Sequence, residues 1–199
     1  AGNVRRSAAL AIGSHDDTQY LEMKNDQEKL YHHRWGSNNS FHAVVGMDYT
    51  WHAQQSQKNG EPGYIWLDNA RTHGRLKDGL RYDDLNVAGF NPCVEQQLED
   101  AELCCLVETF PAKHDSYEDY MKTLKIAYLY GKTITLSNTH WPETNAKMLK
   151  NRRIGLSQSG VVQAFNKFGR RAMLQWSDNA YEAVKVLDEE FSNWLCIPK

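Results

Sequence analysis

Asn91–Glu108 reads NPCVEQQLEDAELCCLVE, and the way this stretch leaves one element and enters the next decides how the rest of the chain is organised. Pro92 restricts Asn91 to extended backbone and disfavours a helix here, so Cys93 is expected on a loop rather than on a packed element. If residues 91–95 run extended, alternate side chains share a face and Asn91, Cys93 and Glu95 project together. A thiol suits one-electron or nucleophilic chemistry, a carboxylate takes a proton from a hydroxyl within reach, and an amide orients neighbouring hydroxyls. Eleven residues after Cys93 comes Cys104, at the start of a buried strand expected over 104–109.

Upstream of this stretch, residues 4–12 read as a strand, 13–17 as a turn with capping residues, and 18–24 as a short helix. Residues 25–39 are polar and irregular, and 41–45 are strand-like. Asp48 caps a helix that ends at Asn59-Gly60, and GYIWL at 63–67 is a short strand. Residues 68–90, rich in Gly, Asp, Asn and Arg, read as a long loop that covers or lines something. Downstream, Ser116 opens a helix with Asp119 in the capping-box position, and Tyr120, Leu124, Ala127 and Tyr128 recur at helical spacing up to Gly131. Trp141-Pro142 precedes a helix over 143–150, a strand follows at 153–156, and helices follow at 159–168 and 177–194. The last carries an apolar stripe of Tyr181, Val184, Leu187, Phe191 and Leu195, interrupted by Asp188. Strands alternating with helices indicate a parallel α/β arrangement, either a barrel or an open sheet.

The 199 residues are 41% hydrophobic and 24% charged, enough for one domain or a large part of one. With 23 basic and 25 acidic residues spread along the chain, a net charge of −2 points away from nucleic acid as a partner. Apolar runs are far shorter than the roughly 20 residues a membrane helix needs, and no charged-then-apolar leader opens the sequence. A cytoplasmic location is expected, with no membrane partner. Both ends look cut, so residues 1–199 are taken as a single partial domain.

Four cysteines, Cys93, Cys104, Cys105 and Cys196, are too sparse for a secreted disulfide scaffold and lack the paired spacing of structural zinc ligands. No metal is expected. His32-His33 and the other histidines show no helical pair with an intervening glutamate, and loop or surface positions account for them. An isolated cysteine is ordinarily a small core residue, but the Asn-Pro-Cys-Val-Glu context reverses that for Cys93. Cys105 would face the opposite side of the strand and is read as core, and Cys196 as packing. Ser157 and Ser159 ahead of Gly160 could bind phosphate at a helix start, though a plain helix cap explains them better. Trp66, Trp141 and Trp176 are read as core.

Asn91-Pro92-Cys93-Val94-Glu95 followed by Cys104 resembles the finger loop and following strand of class II, adenosylcobalamin-dependent ribonucleotide reductases. Further segments extend the resemblance to the ribonucleoside-triphosphate reductase branch over nearly the whole chain: AGNVRRSAALAIG (1–13), RWGSNNS (34–40), NGEPGYIWLDNAR (59–71), ELCCLVETFP (102–111), THWPETN (139–145) and NRRIGLSQSG (151–160). The resemblance implies part of a ten-stranded α/β barrel whose central finger loop carries the radical cysteine. It implies that Cys93 becomes a thiyl that abstracts the ribose 3′ hydrogen, that Glu95 accepts the 3′ hydroxyl proton, and that Asn91 binds substrate hydroxyls. Cys104 would be one of two thiols that close to a disulfide as the 2′ hydroxyl is lost.

The other reducing thiol lies upstream of the finger loop in that family, and no cysteine precedes Cys93 here. The family's phosphate-binding loop and C-terminal thiols would fall beyond Lys199. The chain by itself is therefore not expected to turn over. Implied partners are adenosylcobalamin, a ribonucleoside triphosphate substrate, a deoxynucleotide effector, thioredoxin or another dithiol reductant, and the remaining segments of the reductase. Asn3, Arg5 and Arg6 fall where the family has a loop between effector and substrate sites; a nucleotide contact and a salt-bridged strand terminus both stay open. Two other readings are a noncatalytic nucleotide-binding or assembly fragment of a split reductase, and the large subunit of a metal-radical class reductase.

Overall fold

A computed structural model describes residues 9–74 and 79–199. Asn3, Arg5 and Arg6 lie outside the described residues. The chain divides into two compact units, one ending at Asp100 and the other spanning Ala101–Lys199.

The first unit is built on a parallel sheet in the order β1 (Ala9–Ser14), β2 (Ser37–His42), β3 (Gly63–Ile65). Between β1 and β2 lie α1 (Thr18–Leu21) and α2 (Gln27–His32), opened by Asp17 and Asp26, whose carboxylates accept from the backbone N–H of Tyr20 and Lys29. Helix α2 falls within residues read from the sequence as irregular; its polar run holds no buried residue, so hydrophobic periodicity could not reveal it. Strand β2 begins four residues before the expected strand, because Ser37–Ser40 pair with β1 despite their polarity. α3 (Thr50–Asn59) follows Asp48, which accepts from Thr50 N–H, and ends at Gly60 with φ 86°. α4 (Leu67–Thr72) and β4 (Val87–Phe90) replace part of the expected long loop, and β4 forms an antiparallel hairpin with β5 (Gln97–Glu99).

Phe41, fully buried on β2, stacks on His52 of α3 at 4.5 Å and packs with Leu21 and Ala43 beneath Tyr20, Tyr49, Trp51 and Tyr64. Trp66 lies at the rim, 38% exposed, and not in the core as its size had suggested. The Tyr20 ring lies so close to Gly13 that a Cβ there would sit 2.3 Å from the ring, so glycine is required. The Tyr20 hydroxyl lies 2.6 Å from the Ala11 carbonyl and 2.9 Å from that of Ser40, bridging β1 and β2. Burial, with the Glu61 charge adding to it, pushes its pKa from the ordinary 10.0 to about 12.

A phenol raised on folding favours the folded state fully below its unfolded value, and that contribution is lost as pH rises through the folded value. The first unit should therefore lose stability between pH 10.0 and about 12. Urea unfolding followed across this window should show the loss in the parent and a flatter profile for Tyr20→Phe.

In the second unit, β6 (Leu106–Thr109) pairs in parallel with β7 (Gly155–Gln158), from Leu106↔Gly155 to Thr109↔Gln158. The crossover holds α5 (Tyr117–Ile134), capped by Ser116, and α6 (Pro142–Asn151); α7 (Val161–Phe168) and α8 (Arg170–Leu195) follow β7. Helix α8 begins seven residues before the expected start, just after Gly169. Gly131 lets α5 close on the sheet: a Cβ there would lie 3.1 Å from Val107 and 3.3 Å from Ile154. Tyr120, fully buried, accepts from Gln158 Nε2 at 2.6 Å and stacks on Trp176. Trp176 is only half-buried, and Trp141 is 63% exposed, so the expected core position holds for neither. No described helix is long and apolar enough to cross a membrane.

Candidate functional site

The hairpin of β4 and β5 carries the Asn-Pro-Cys-Val-Glu segment at its tip, and the tip is a turn rather than an extended run. Val94 N–H donates to the Asn91 carbonyl at 2.9 Å, and Asn91 N–H donates to the Gln96 carbonyl at 3.1 Å. Pro92 occupies the second position of this turn, where its fixed φ is suited. Val94 follows with φ 69°, a left-handed conformation that a β-branched residue adopts only when its surroundings impose it. Two antiparallel strands joined by six residues need this reversal. Alternation therefore does not put Asn91, Cys93 and Glu95 on one face.

Asn91 is instead buried beneath the turn, 2% exposed, and its Oδ1 accepts from Gln96 N–H at 3.0 Å. Cys93 and Glu95 are both exposed at the tip. The tip is pinned to the parallel sheet of its own unit by Asn38, whose Nδ2 donates to the Pro92 carbonyl at 2.6 Å. Asn38 is on the strand face opposite Phe41, and a side chain at Gly89 of β4 would touch Ile12 of β1 on that same face. Helices α1 and α3 pack on the Phe41 side of the sheet; the hairpin lies on the other and is joined to α4, whose Arg71 Nε donates to the Val87 carbonyl at 2.9 Å. Asn91→Ala should cost about 1–3 kcal/mol by stranding a buried N–H. Asn91→Asp, which keeps the acceptor, should cost less, and urea unfolding of the two variants checks this.

Cys104 lies in the second unit, just before β6, and is exposed. Cys105 is buried, its Sγ 3.9 Å from the Gly131 carbonyl of α5, and burial raises its pKa, with the neighbouring Cys104 adding to the effect. The assignment of Cys105 to the core and Cys104 to the other side of the chain holds. The expectation of a buried strand does not: Leu106 and Glu108 are exposed, and only the face of Cys105 and Thr109 is covered. Cys196 is also exposed, at the left-handed end of α8, so packing does not account for it.

Three residues that sequence reasoning passed over belong to this region. Glu108, on the face of β6 turned away from α5, accepts hydrogen bonds from Ser157 at 3.5 Å and from Ser159. Ser159 is therefore engaged with a carboxylate and does not cap α7, whose N-cap is Gly160 with no side-chain bond. Glu102 and Arg153 form a buried ion pair, with Arg153 Nε 3.1 Å from both carboxylate oxygens. They are 51 residues apart, and charge complementarity at that separation is no signal in a chain with 48 charged residues. Among the described residues no group of His, Cys, Asp and Glu is placed to hold a metal ion.

No family model matches the chain. A Dictyostelium discoideum protein named as a probable adenosylcobalamin-dependent ribonucleoside-triphosphate reductase is 48% identical over 202 residues, covering 100% of this chain and 27% of that protein. The adenosylcobalamin-dependent ribonucleoside-triphosphate reductase of Euglena gracilis is 45% identical, covering 99% of this chain and 27% of its own length. That of Lactobacillus leichmannii is 41% identical over 94% of this chain and 26% of its own. A crystal structure of a B12-dependent, class II ribonucleotide reductase superposes with a TM-score of 0.79 at 32% identity, over 96% of this chain and 30% of that one. The chain thus spans about a quarter of the length of the curated relatives it matches.

Proposed function

We propose that this chain, which matches a segment of the adenosylcobalamin-dependent, class II ribonucleotide reductases along its whole length, is the central part of the catalytic barrel of a ribonucleoside-triphosphate reductase. The observation that carries the reading is the exposed Cys93 thiol at the tip of a hairpin pinned by Asn38 to the sheet face opposite Phe41. A rigid turn closed by Asn91 holds that thiol clear of the core, as a hydrogen-atom acceptor and donor requires.

In this reading Cys93 as a thiyl takes the ribose 3′ hydrogen and becomes a thiol. Glu95, exposed at the same tip, accepts the 3′ hydroxyl proton, while Asn91, buried beneath the turn, holds the loop that presents both groups instead of meeting the substrate hydroxyls itself. The 2′ hydroxyl leaves as water. Two electrons and two protons come from Cys104 and a second thiol outside this chain, which close to a disulfide, and Cys93 returns its hydrogen to C3′. Adenosylcobalamin, when bound, would supply the unpaired electron that Cys93 carries, and an exposed Cys93 thiol is open to receive it. Thioredoxin or another dithiol re-reduces the disulfide, a deoxynucleotide acts as effector, and the remaining segments of the reductase complete the barrel. A cytoplasmic location, where thiols stay reduced, suits this use of Cys93 and Cys104.

The test is a chimera in which this chain replaces the homologous segment of the Lactobacillus leichmannii enzyme. With adenosylcobalamin, a ribonucleoside triphosphate and a dithiol, the chimera should form the deoxynucleotide. A folded chimera that forms none would remove the catalytic reading and leave a noncatalytic assembly role.

A further inference from the structure

The reducing role given to Cys104 demands more of this thiol than exposure. Disulfide closure requires the two Cβ atoms to approach to about 3.5–4.5 Å, so the backbone carrying the thiol must be held. Residues on both sides of Cys104 are tied to other elements of the second unit. Leu103 N–H donates to the Met148 sulfur of α6 at 3.4 Å. The Cys105 carbonyl accepts from Gly155 N–H at 2.9 Å, joining this segment to β7. Two residues before Cys104, the Glu102 side chain is fully buried and grips Arg153, itself 6% exposed, at the foot of β7.

Packed apolar residues of the same volume would hold a structure at least as well as a buried ion pair. What the pair adds is direction. Two carboxylate oxygens on one guanidinium N–H fix the side chain, and with it the backbone that leads into Cys104. We propose that Glu102 and Arg153 are positioning residues for Cys104, setting the geometry and the electrostatic setting in which its thiol reacts. This rests on Cys104 being a reducing thiol.

The experiment measures alkylation of Cys104 by iodoacetamide in the 199-residue chain, by peptide mass mapping across a range of pH, with Cys196 as internal reference. Glu102→Gln removes one negative charge from the segment that leads into Cys104 and keeps the side-chain volume. The Cys104 pH profile should move down by about half a unit, which is about threefold faster alkylation below the midpoint, because loss of a neighbouring negative charge favours the thiolate. Cys196 should not change, and Glu102→Asp, which restores the charge, should bring the profile back toward the parent. A folded Glu102→Gln chain with an unshifted Cys104 profile overturns the proposal.

Should Glu102→Gln not fold, the Glu102→Leu/Arg153→Met pair removes both charges and leaves neither stranded. Its Cys104 should alkylate at least about threefold faster with no shift in profile, as the segment stays packed but is no longer aimed by two carboxylate oxygens on one N–H, and an unchanged rate overturns the proposal equally. Failure of the redox reading would show elsewhere, as full activity of Cys104→Ser in the chimeric reductase.

Discussion

Cys93→Ser in the chimeric reductase is expected to abolish deoxynucleotide formation while leaving the fold intact. The two halves of that expectation have separate reasons. Cys93 is exposed at the hairpin tip, so exchanging sulfur for oxygen removes no core contact and should change stability by less than about 0.5 kcal/mol. An alkoxyl radical is much harder to form than a thiyl, so serine can neither take up the unpaired electron nor draw the ribose hydrogen. Glu95→Gln should be less severe, slowing turnover about 10²–10⁴-fold, the usual contribution of a positioned general base. Cys196→Ser, which changes a thiol at the end of α8, should leave activity unchanged. Deoxynucleotide produced by Cys93→Ser within tenfold of the parent would end the thiyl assignment.

Asp188→Ala should be the most damaging single change to stability, costing the second unit about 3–5 kcal/mol. Asp188 Oδ1 is 3.1 Å from Lys132 Nζ, whose side chain is only 4% exposed. The same carboxylate accepts from Tyr128 Oη and from Ser192 Oγ. Burial, and then the bond to Asp188, holds the Tyr128 phenol neutral well above the ordinary tyrosine range. Lys132 and Ser192 in turn donate to the Pro198 carbonyl, so the network fastens the end of the chain to α5 and α8. Removing the carboxylate strands a buried ammonium and a buried hydroxyl together. The Asp188→Leu/Lys132→Met pair strands neither charge and should recover most of the loss. Urea unfolding followed by the fluorescence of Trp176, which packs in this unit, measures both variants. A loss below about 1 kcal/mol for Asp188→Ala would show that the pair is solvated and contributes little.

The chain's punctuation was legible because it depends on adjacent residues. Ser116 with Asp119, Asp48 with Thr50, and Gly60 each mark a helix boundary through a bond or dihedral spanning at most four residues. The alternation of strands and helices was legible for the same reason, and it correctly indicated parallel pairing within β1–β3 and between β6 and β7. The polar strand Ser37–His42 was misplaced and α2 was missed, since neither follows the hydrophobic period from which elements are read. At the candidate site the residue types were legible and their arrangement was not. Asn91 could be singled out beside Pro92, yet its role in closing a turn depends on Gln96 lying opposite it in a hairpin.

What the sequence alone determined is therefore local chemistry: which residues bring a thiol, a carboxylate and an amide within five positions, and where helices start and stop. The tertiary structure decided how that chemistry is presented. The reversal at 91–96, the anchoring of its tip through Asn38, and the Glu102–Arg153 grip beside Cys104 all join residues on separate elements. The energy of such contacts comes from burial and from partners 51 or 54 residues away. No periodicity or nearest-neighbour rule encodes which of many equivalent polar side chains will meet, because that follows only once the strands have paired and the helices have covered one face of the sheet.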